Sequence, residues 1–313
     1  MKMTRRHFVG LTVAAAGTAA LGSRLRAGDK IGGDKNVAKP QANAGKFKAT
    51  DRVLLGKNGV KVSLVGIGTG SNGWNKSSNQ TRPGDAHFQK LMRHALDSGI
   101  NFFDLADQYG SNPCFGRAMK SVARDKYVIQ TKINSREPKA ARQDIKRILR
   151  ELKTDYIDSF IVHCVTEADW STRFAPLLEE ISKFKAEGKI RAHGVTCHSF
   201  EALQDAVKSD WVQINMVRWN NYQAHMDNDV ENCRKVFTQM RRKGQGMIGM
   251  KVVGQGDLLQ GWRKKTPEEC FRFQIESGVV DAFVVGCEST THIDQLLKGT
   301  QTALDELGYR AKV

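Results

Sequence analysis

The chain contains no apolar run of the 18 or more residues that a membrane-spanning helix needs, which excludes a polytopic membrane protein. It contains no Cys-x-x-Cys pair. Its six cysteines, Cys114, Cys164, Cys197, Cys233, Cys270 and Cys287, are scattered through the chain, which excludes the dense disulfide framework of a small secreted scaffold. It has no long basic run beyond residue 50. Lys+Arg 49 against Asp+Glu 33 gives a net charge of +16, yet ten of those bases and only two acids fall in residues 1–50. The rest carries mixed signs, so a nucleic-acid groove is excluded and mild attraction to anionic ligands is what remains. There is also no Gly-x-Gly-x-x-Gly turn leading from a first strand into a helix. Gly66-Ile67-Gly68-Thr69-Gly70 is glycine-rich but runs into a long polar loop at 71–84, which argues against a doubly wound sheet. What is present is 313 residues, 40% of them hydrophobic, enough for a sizeable core and too many for global disorder.

Three segments are expected: residues 1–27, 28–50 and 51–313. The first begins Thr4-Arg5-Arg6-His7-Phe8-Val9, which resembles a twin-arginine signal, and continues into an apolar, Ala-rich stretch of 14 residues, 8–21, too short to span a bilayer comfortably. The resemblance implies export by the twin-arginine machinery to the periplasm or another extracytoplasmic compartment. That route carries proteins already folded, often around a cofactor, so the cysteines are expected to be reduced and no transmembrane segment is expected in the mature protein. Ala20-Leu21-Gly22 offers small residues for cleavage. Residues 28–50 read as a polar linker without periodicity.

From residue 51 the pattern becomes regular. Two apolar runs flank Asn58-Gly59, the dipeptide of tight hairpin turns. Eight short runs rich in Val, Ile and Phe then follow, at 64–68, 100–104, 127–132, 157–163, 190–195, 211–215, 247–251 and 282–285. Segments of helical period separate them, near 85–98, 113–124, 138–151, 172–187, 199–208, 228–243, 266–277 and 290–298. Alternation of this kind requires a parallel sheet with crossover helices. Eight units in about 250 residues match the size of an α/β (β/α)8 TIM barrel, here preceded by a short β-hairpin.

Active sites of such barrels lie at the carboxyl ends of the strands. The second strand ends in Asp104, with Tyr109 in the loop that follows; the third ends in Lys132; the fourth ends in His163. Singly, each has an ordinary explanation: a turn cap, a half-buried phenol, a solvated ammonium, a satisfied polar ring. At three consecutive strand ends they form an acid–base constellation.

On these residues the chain resembles the aldo-keto reductases. Asp104-Leu-Ala-Asp-Gln-Tyr109-Gly110 resembles that family's Asp/Tyr motif, Val128-Ile-Gln-Thr-Lys132 its lysine strand, and Asp155-Tyr-Ile-Asp-Ser-Phe-Ile-Val-His163 its histidine strand. The resemblance spans residues 52–298. It implies hydride transfer between NAD or NADP and a small-molecule carbonyl substrate, with Tyr109 as general acid/base. Lys132 and Asp104 would tune Tyr109, and His163 would orient the carbonyl. An ammonium beside the phenol is expected to lower its pKa from about 10.

The resemblance also implies cofactor contacts. Gly68, Thr69, Gln213, Lys251, Gly254, Gly286, Glu288 and Ser289 occupy the corresponding positions. Cys197 and His198 stand where a Ser-Asn pair is usual, and Met250 where an aromatic ring usually stacks. Glu288 stands where NADPH-preferring members carry bases, so NAD is slightly favoured, as a carboxylate would repel a 2′-phosphate and accept from a ribose hydroxyl.

Three other readings stay open. One is a non-catalytic nicotinamide-binding sensor or partner subunit on the same barrel. Lys132 suits a Schiff-base lyase, although Asp104 would keep its amine protonated. His163-Cys164 and Cys197-His198, with His193, include metal-ligand types but match no ligand spacing, so no metal is expected. Trp74, Trp170, Trp219 and Trp262 lie in or beside the loops expected to set specificity.

Overall fold

The structure is a computed structural model that describes residues 46–57, 59–262 and 264–309. The expected export signal at 1–27, the linker up to residue 45 and Asn58 of the hairpin turn lie outside the described residues. The hairpin itself is present: β1 (Arg52–Leu54) pairs antiparallel with β2 (Lys61–Ser63), Val53 facing Val62.

Eight parallel strands follow: β3 (Val65–Gly68), β4 (Phe102–Asp104), β5 (Val128–Ile133), β6 (Ile157–Val165), β7 (Ile190–Cys197), β8 (Ile214–Arg218), β9 (Gly246–Met250) and β10 (Ala282–Val285). They close into a barrel in the order β10-β3-β4-β5-β6-β7-β8-β9, so β10 pairs with β3. The crossovers are α1 (Asp85–Asp97), α2 (Ser111–Ala118), α3 (Pro138–Leu152), α4 (Trp170–Arg173) with α5 (Ala175–Ala186), α6 (Phe200–Lys208), α7 (Val230–Arg242) and α8 (Pro267–Glu276). The chain closes with α9 (Thr290–Glu306).

Local chemistry explains these boundaries. Pro138 opens α3, where its missing N–H costs nothing, and the helix buries Ala141, Ile145, Ile148 and Leu152 at intervals of three and four residues. Thr266 caps α8 in a capping box with Glu269. On the strands the period is two. Phe103, Ile129 and Phe160 face the helices, whereas Phe102, Val128 and Ile161 face the barrel interior. Leu55, Val60 and Val62 join that interior layer and plug the amino end of the barrel, which leaves only the carboxyl end open to a ligand.

The expected sixth run, 211–215, is displaced. Its strand starts at Ile214 and runs to Arg218. Trp211 leaves the sheet to stack on His193, ring centroids 4.2 Å apart, and donates its indole N–H to Leu178 O of α5. Two of the candidate pocket tryptophans prove to be packing anchors, since Trp170 and Trp219 are fully buried in the core.

Phe102 sits at the centre of the barrel interior with no exposure. Phe102→Ala is expected to destabilise the protein by about 3–5 kcal/mol through lost burial and a residual cavity, read as a lower midpoint in chemical denaturation.

Candidate active site

The four candidate catalytic side chains converge at the carboxyl end of the barrel. Asp104 ends β4 and Lys132 lies near the end of β5. Their charged atoms are 2.6 Å apart, and the two side chains are 5% and 1% exposed. The Lys132 ammonium also donates to Leu105 O at 2.8 Å. The Asp104 Oδ1 atom additionally accepts from Gln130 Nε2 at 2.8 Å, and Gln130 Oε1 accepts from Ser159 Oγ at 2.8 Å. The ion pair is thus hydrogen-bonded from several sides, as a buried pair must be.

Tyr109 ends a short helical turn after β4. Its ring lies against Gly70 and Gly73 of the loop after β3. A Cβ at either glycine would stand 2.3 or 2.4 Å from a ring carbon, so the slot that holds the phenol exists only because both side chains are absent. The Lys132 ammonium lies 5.1 Å from the centre of the same ring. The Tyr109 hydroxyl is 3.2 Å from His163 Nε2, and the other ring nitrogen, Nδ1, is 3.2 Å from Asn134 Oδ1.

The electrostatics depart from the expected lowering of the phenol pKa. Burial pushes Tyr109 well above the usual tyrosine value, and the Asp104 carboxylate pushes the same way. Lys132 does not reverse this, because its own charge is largely cancelled by Asp104 at contact distance. Burial also lowers the Lys132 pKa, against the upward pull of Asp104. His163 is held well below the ordinary imidazole value, first by burial and then by Lys132. At neutral pH the site therefore holds a protonated phenol and a neutral imidazole. A proton is available for donation, and the ring beside it can donate through one nitrogen and accept through the other.

His163 occupies an irregular stretch of β6. Val162 pairs with Val195, but the next pair is Val165 with Cys197, so β6 carries one extra residue. Cys164 takes it up in a left-handed conformation, φ 54°, which costs a non-glycine residue about 1–2 kcal/mol. His163 and Cys164 consequently both line a cleft of about 600 Å³ that opens at this end of the barrel.

The cofactor-side candidates divide. Gly68, His198, Met250, Lys251, Gly286 and Glu288 line the cleft with the catalytic four except Lys132, which lies beneath. Thr69 is buried and donates its hydroxyl to Asp104 O at 2.9 Å. Ser289 caps α9, accepting from His292 N. Gly254 is not in the cleft wall, but Gln255 and Gly256 beside it are. Two candidates are corrected outright. Gln213 precedes β8 at the amino end of the barrel, where its Oε1 accepts from Lys185 Nζ at 2.5 Å. Cys197 turns away from the cleft and donates its thiol to Ala202 O at 3.3 Å.

The structure adds residues that sequence reasoning passed over. Met216 lines the cleft, along with the expected Trp74, and Gln130, Ser159 and Asn134 brace the catalytic groups. Gln130 lies two residues before Lys132, and Ser159 four before His163, so each shares the inward face of its strand.

Comparison with known proteins now adds to the geometry. The Aldo/keto reductase family model matches residues 64–305. The chain belongs to that family. It is 28% identical over 244 residues to aldo-keto reductase 1 of Glycine max, covering 72% of this chain and 67% of the relative. It is 28% identical over 232 residues to L-galactose dehydrogenase of Arabidopsis thaliana, covering 68% and 70%. It is 24% identical over 205 residues to an NADH-specific methylglyoxal reductase of Escherichia coli strain K12, covering 57% and 62%. The holo form of an aldo-keto reductase from Bacillus halodurans superposes with a TM-score of 0.65 at 17% identity, over 84% of this chain and 97% of that one, and shares the fold.

As an aldo-keto reductase the protein is a nicotinamide-dependent oxidoreductase, and the cleft fits such a cofactor in part. Lys251 is a half-buried ammonium lowered to about 8 by burial and by Arg218, with no ion pair among the described residues, which suits a diphosphate. His198 is lowered to about 3, by burial and then Arg218, and is neutral. Glu288, in the loop after β10, lines the cleft and accepts from Asn79 Nδ2 at 2.7 Å. The expected carboxamide contacts through Cys197 and Gln213 do not fit. Among the described residues no three His, Cys, Asp or Glu side chains group as metal ligands. Cys164 Sγ and His198 Nε2 approach to 3.9 Å, whereas His193 stacks on Trp211.

Asp104→Asn would strand the Lys132 charge. It is expected to cost about 3–5 kcal/mol of stability, whereas Asp104→Leu combined with Lys132→Met costs less than the sum of the two single changes. Urea denaturation of the parent, Asp104→Asn, Asp104→Leu, Lys132→Met and the double variant measures both.

Proposed function

We propose that Tyr109, Lys132, Asp104 and His163 carry out reversible hydride-transfer chemistry on a small aldehyde or ketone and its alcohol. The observation that supports this most is the Tyr109 hydroxyl, 3.2 Å from the His163 imidazole at the mouth of the cleft, above a buried Lys132–Asp104 pair. When bound, the nicotinamide supplies or takes the hydride. The protein handles the other half of the reaction. Tyr109 gives its proton to the carbonyl oxygen as negative charge develops there. His163 positions that oxygen, and Lys132 stabilises the phenolate that Tyr109 becomes. Tyr109→Phe is expected to lower kcat by about 10²–10⁴-fold with binding of the cofactor preserved. Turnover near the parental rate in that variant rejects the assignment.

The cofactor would lie along His198, Met250, Lys251, Gly286 and Glu288, with Lys251 toward the diphosphate and Glu288 toward the adenosine ribose. On this reading NAD is favoured over NADP, because Glu288 repels a 2′-phosphate; the name of the NADH-specific relative is consistent with it. The Lys251 ammonium is present below about pH 8 and lost above it. Cofactor affinity is therefore expected to weaken as pH rises from 7 to 9.5. In Lys251→Met it should be weaker throughout, by about tenfold at pH 7, and flat across that interval, as isothermal titration would show.

Trp74 stands at the cleft mouth, 73% exposed, and offers a flat apolar surface to a substrate ring or chain. The relatives named for L-galactose and methylglyoxal support a small polar carbonyl compound or its alcohol. Residues 1–27 are proposed to direct twin-arginine export of the folded enzyme with its cofactor already bound. Exported protein should then contain extractable nicotinamide, and Arg5→Lys with Arg6→Lys should retain the protein in the cytoplasm.

A further inference from the structure

The segment that follows β5 reaches across to the end of β6 through one side chain. The Arg136 guanidinium donates through Nη2 to His163 O at 2.6 Å and to Cys164 O at 3.2 Å, and through Nη1 to Asn134 O at 3.0 Å. Its flat face lies 5.3 Å from the Phe174 ring. This is an unusual use of an arginine. Among the described residues it forms no ion pair, although it is half-buried, and its donors are directed to three main-chain carbonyls. Two of these belong to the extra residue of β6 and the residue before it. Strand pairing skips this stretch, resuming only at Val165 with Cys197, so the two carbonyls need donors from elsewhere. Arg136 is itself absent from the wall of the cleft. The segment from Lys132 to Arg136 thus touches the catalytic pair at three points. Lys132 lies under the Tyr109 ring, Asn134 meets His163 Nδ1, and Arg136 holds the His163 main chain.

We propose that Arg136 is a positioning residue: its fork onto the carbonyls of His163 and Cys164 holds the left-handed bulge of β6 that aims the His163 ring at the Tyr109 hydroxyl. The proposal rests on the catalytic assignment of Tyr109 and His163 made above. Without the fork, Cys164 would relax toward the extended conformation preferred by a side-chain-bearing residue, and His163 would rotate with it. A planar guanidinium is required because one group must reach carbonyls on two chain segments at fixed angles, which a lysine ammonium does not reproduce.

The test uses the full chain. Arg136→Lys keeps the charge and loses the fork. It is expected to lower kcat about tenfold or more while the KM for the cofactor stays within about twofold, since misplacement of a reacting group by an ångström carries penalties of this size or larger. Adding Cys164→Gly should then recover at least about threefold in kcat, because glycine occupies the left-handed region without penalty and no longer needs to be held there. Arg136→Ala should regain activity when methylguanidinium is added to the buffer. A kcat for Arg136→Lys within about twofold of the parent overturns the proposal. So does a loss that neither glycine nor methylguanidinium relieves, or a drop in melting temperature with kcat per folded molecule unchanged. Tyr109→Phe is measured in parallel. If it retains turnover, the catalytic assignment itself fails, and that outcome is distinct from active Arg136 variants beside an inactive Tyr109→Phe.

Discussion

A lysine and an aspartate in contact, both almost fully removed from water, set the terms for everything around them. Isolated, either charge would be untenable at the mouth of an apolar barrel. Together, with Leu105 O on the ammonium and Gln130 on the carboxylate, they form a nearly neutral unit at close range. This cancellation decides the state of the phenol above them. A free ammonium would pull Tyr109 toward ionisation; one already matched to Asp104 does not, and burial then prevails. The resting site keeps its proton on oxygen. Only when that proton leaves does the Lys132 charge find an anion beside it that Asp104 has not already neutralised, which places the stabilisation late in the reaction, where it accelerates chemistry.

The fold supplies the convergence this requires. Parallel strands all end on one face, so Asp104 with Tyr109, Lys132 and His163 converge from β4, β5 and β6, three of them lining the cleft and Lys132 beneath it. The hairpin residues Leu55, Val60 and Val62 seal the opposite end. The interior between these ends is filled by side chains such as Phe102 and Ile161, which leaves the loops free to vary without disturbing the frame. The loop after β3 shows how far such variation is constrained. Gly70 and Gly73 must stay small because the Tyr109 ring occupies the space their side chains would take.

Most of the barrel was legible from the alternation of strand-like and helical runs, since burial on both faces forces apolar strands and each crossover needs an amphipathic helix. The catalytic four were legible for the same reason, being polar residues placed where such runs end. The cofactor side was less so. The family resemblance implies a cofactor contact for Gln213, in a strand expected to begin at Trp211. In fact its ring packs on His193, and the strand begins three residues later, at Ile214. A shift of that size moves a residue from the open end of a short strand to the closed end. Parity explains Cys197: Val195 and Cys197 share the face packed against the helices, while the cleft receives His198 beyond the strand end. Counting inward from Ile214 instead reaches Met216, a cleft residue. No sequence signal announced the bulge at Cys164, because it depends on donors from another segment of the chain.

The charge pattern along the cleft also bears on which part of a nicotinamide cofactor the protein can hold firmly. Lys251 and the neutral His198 line this cleft, with Arg218 close enough to depress both. Glu288, near the start of α9, lines the same cleft. On the proposed placement a diphosphate would gain from Lys251 and an unmodified ribose from Glu288, which concentrates the affinity on the half of the molecule remote from the chemistry. Elsewhere in the cleft Met216 and Met250 offer polarisable surface but few hydrogen bonds. Such a division suits an enzyme in which remote contacts retain the cofactor while the reacting ring is oriented mainly by shape. The burden of precise alignment then falls on the groups that face the substrate oxygen, Tyr109 and His163, and on the main chain that carries them.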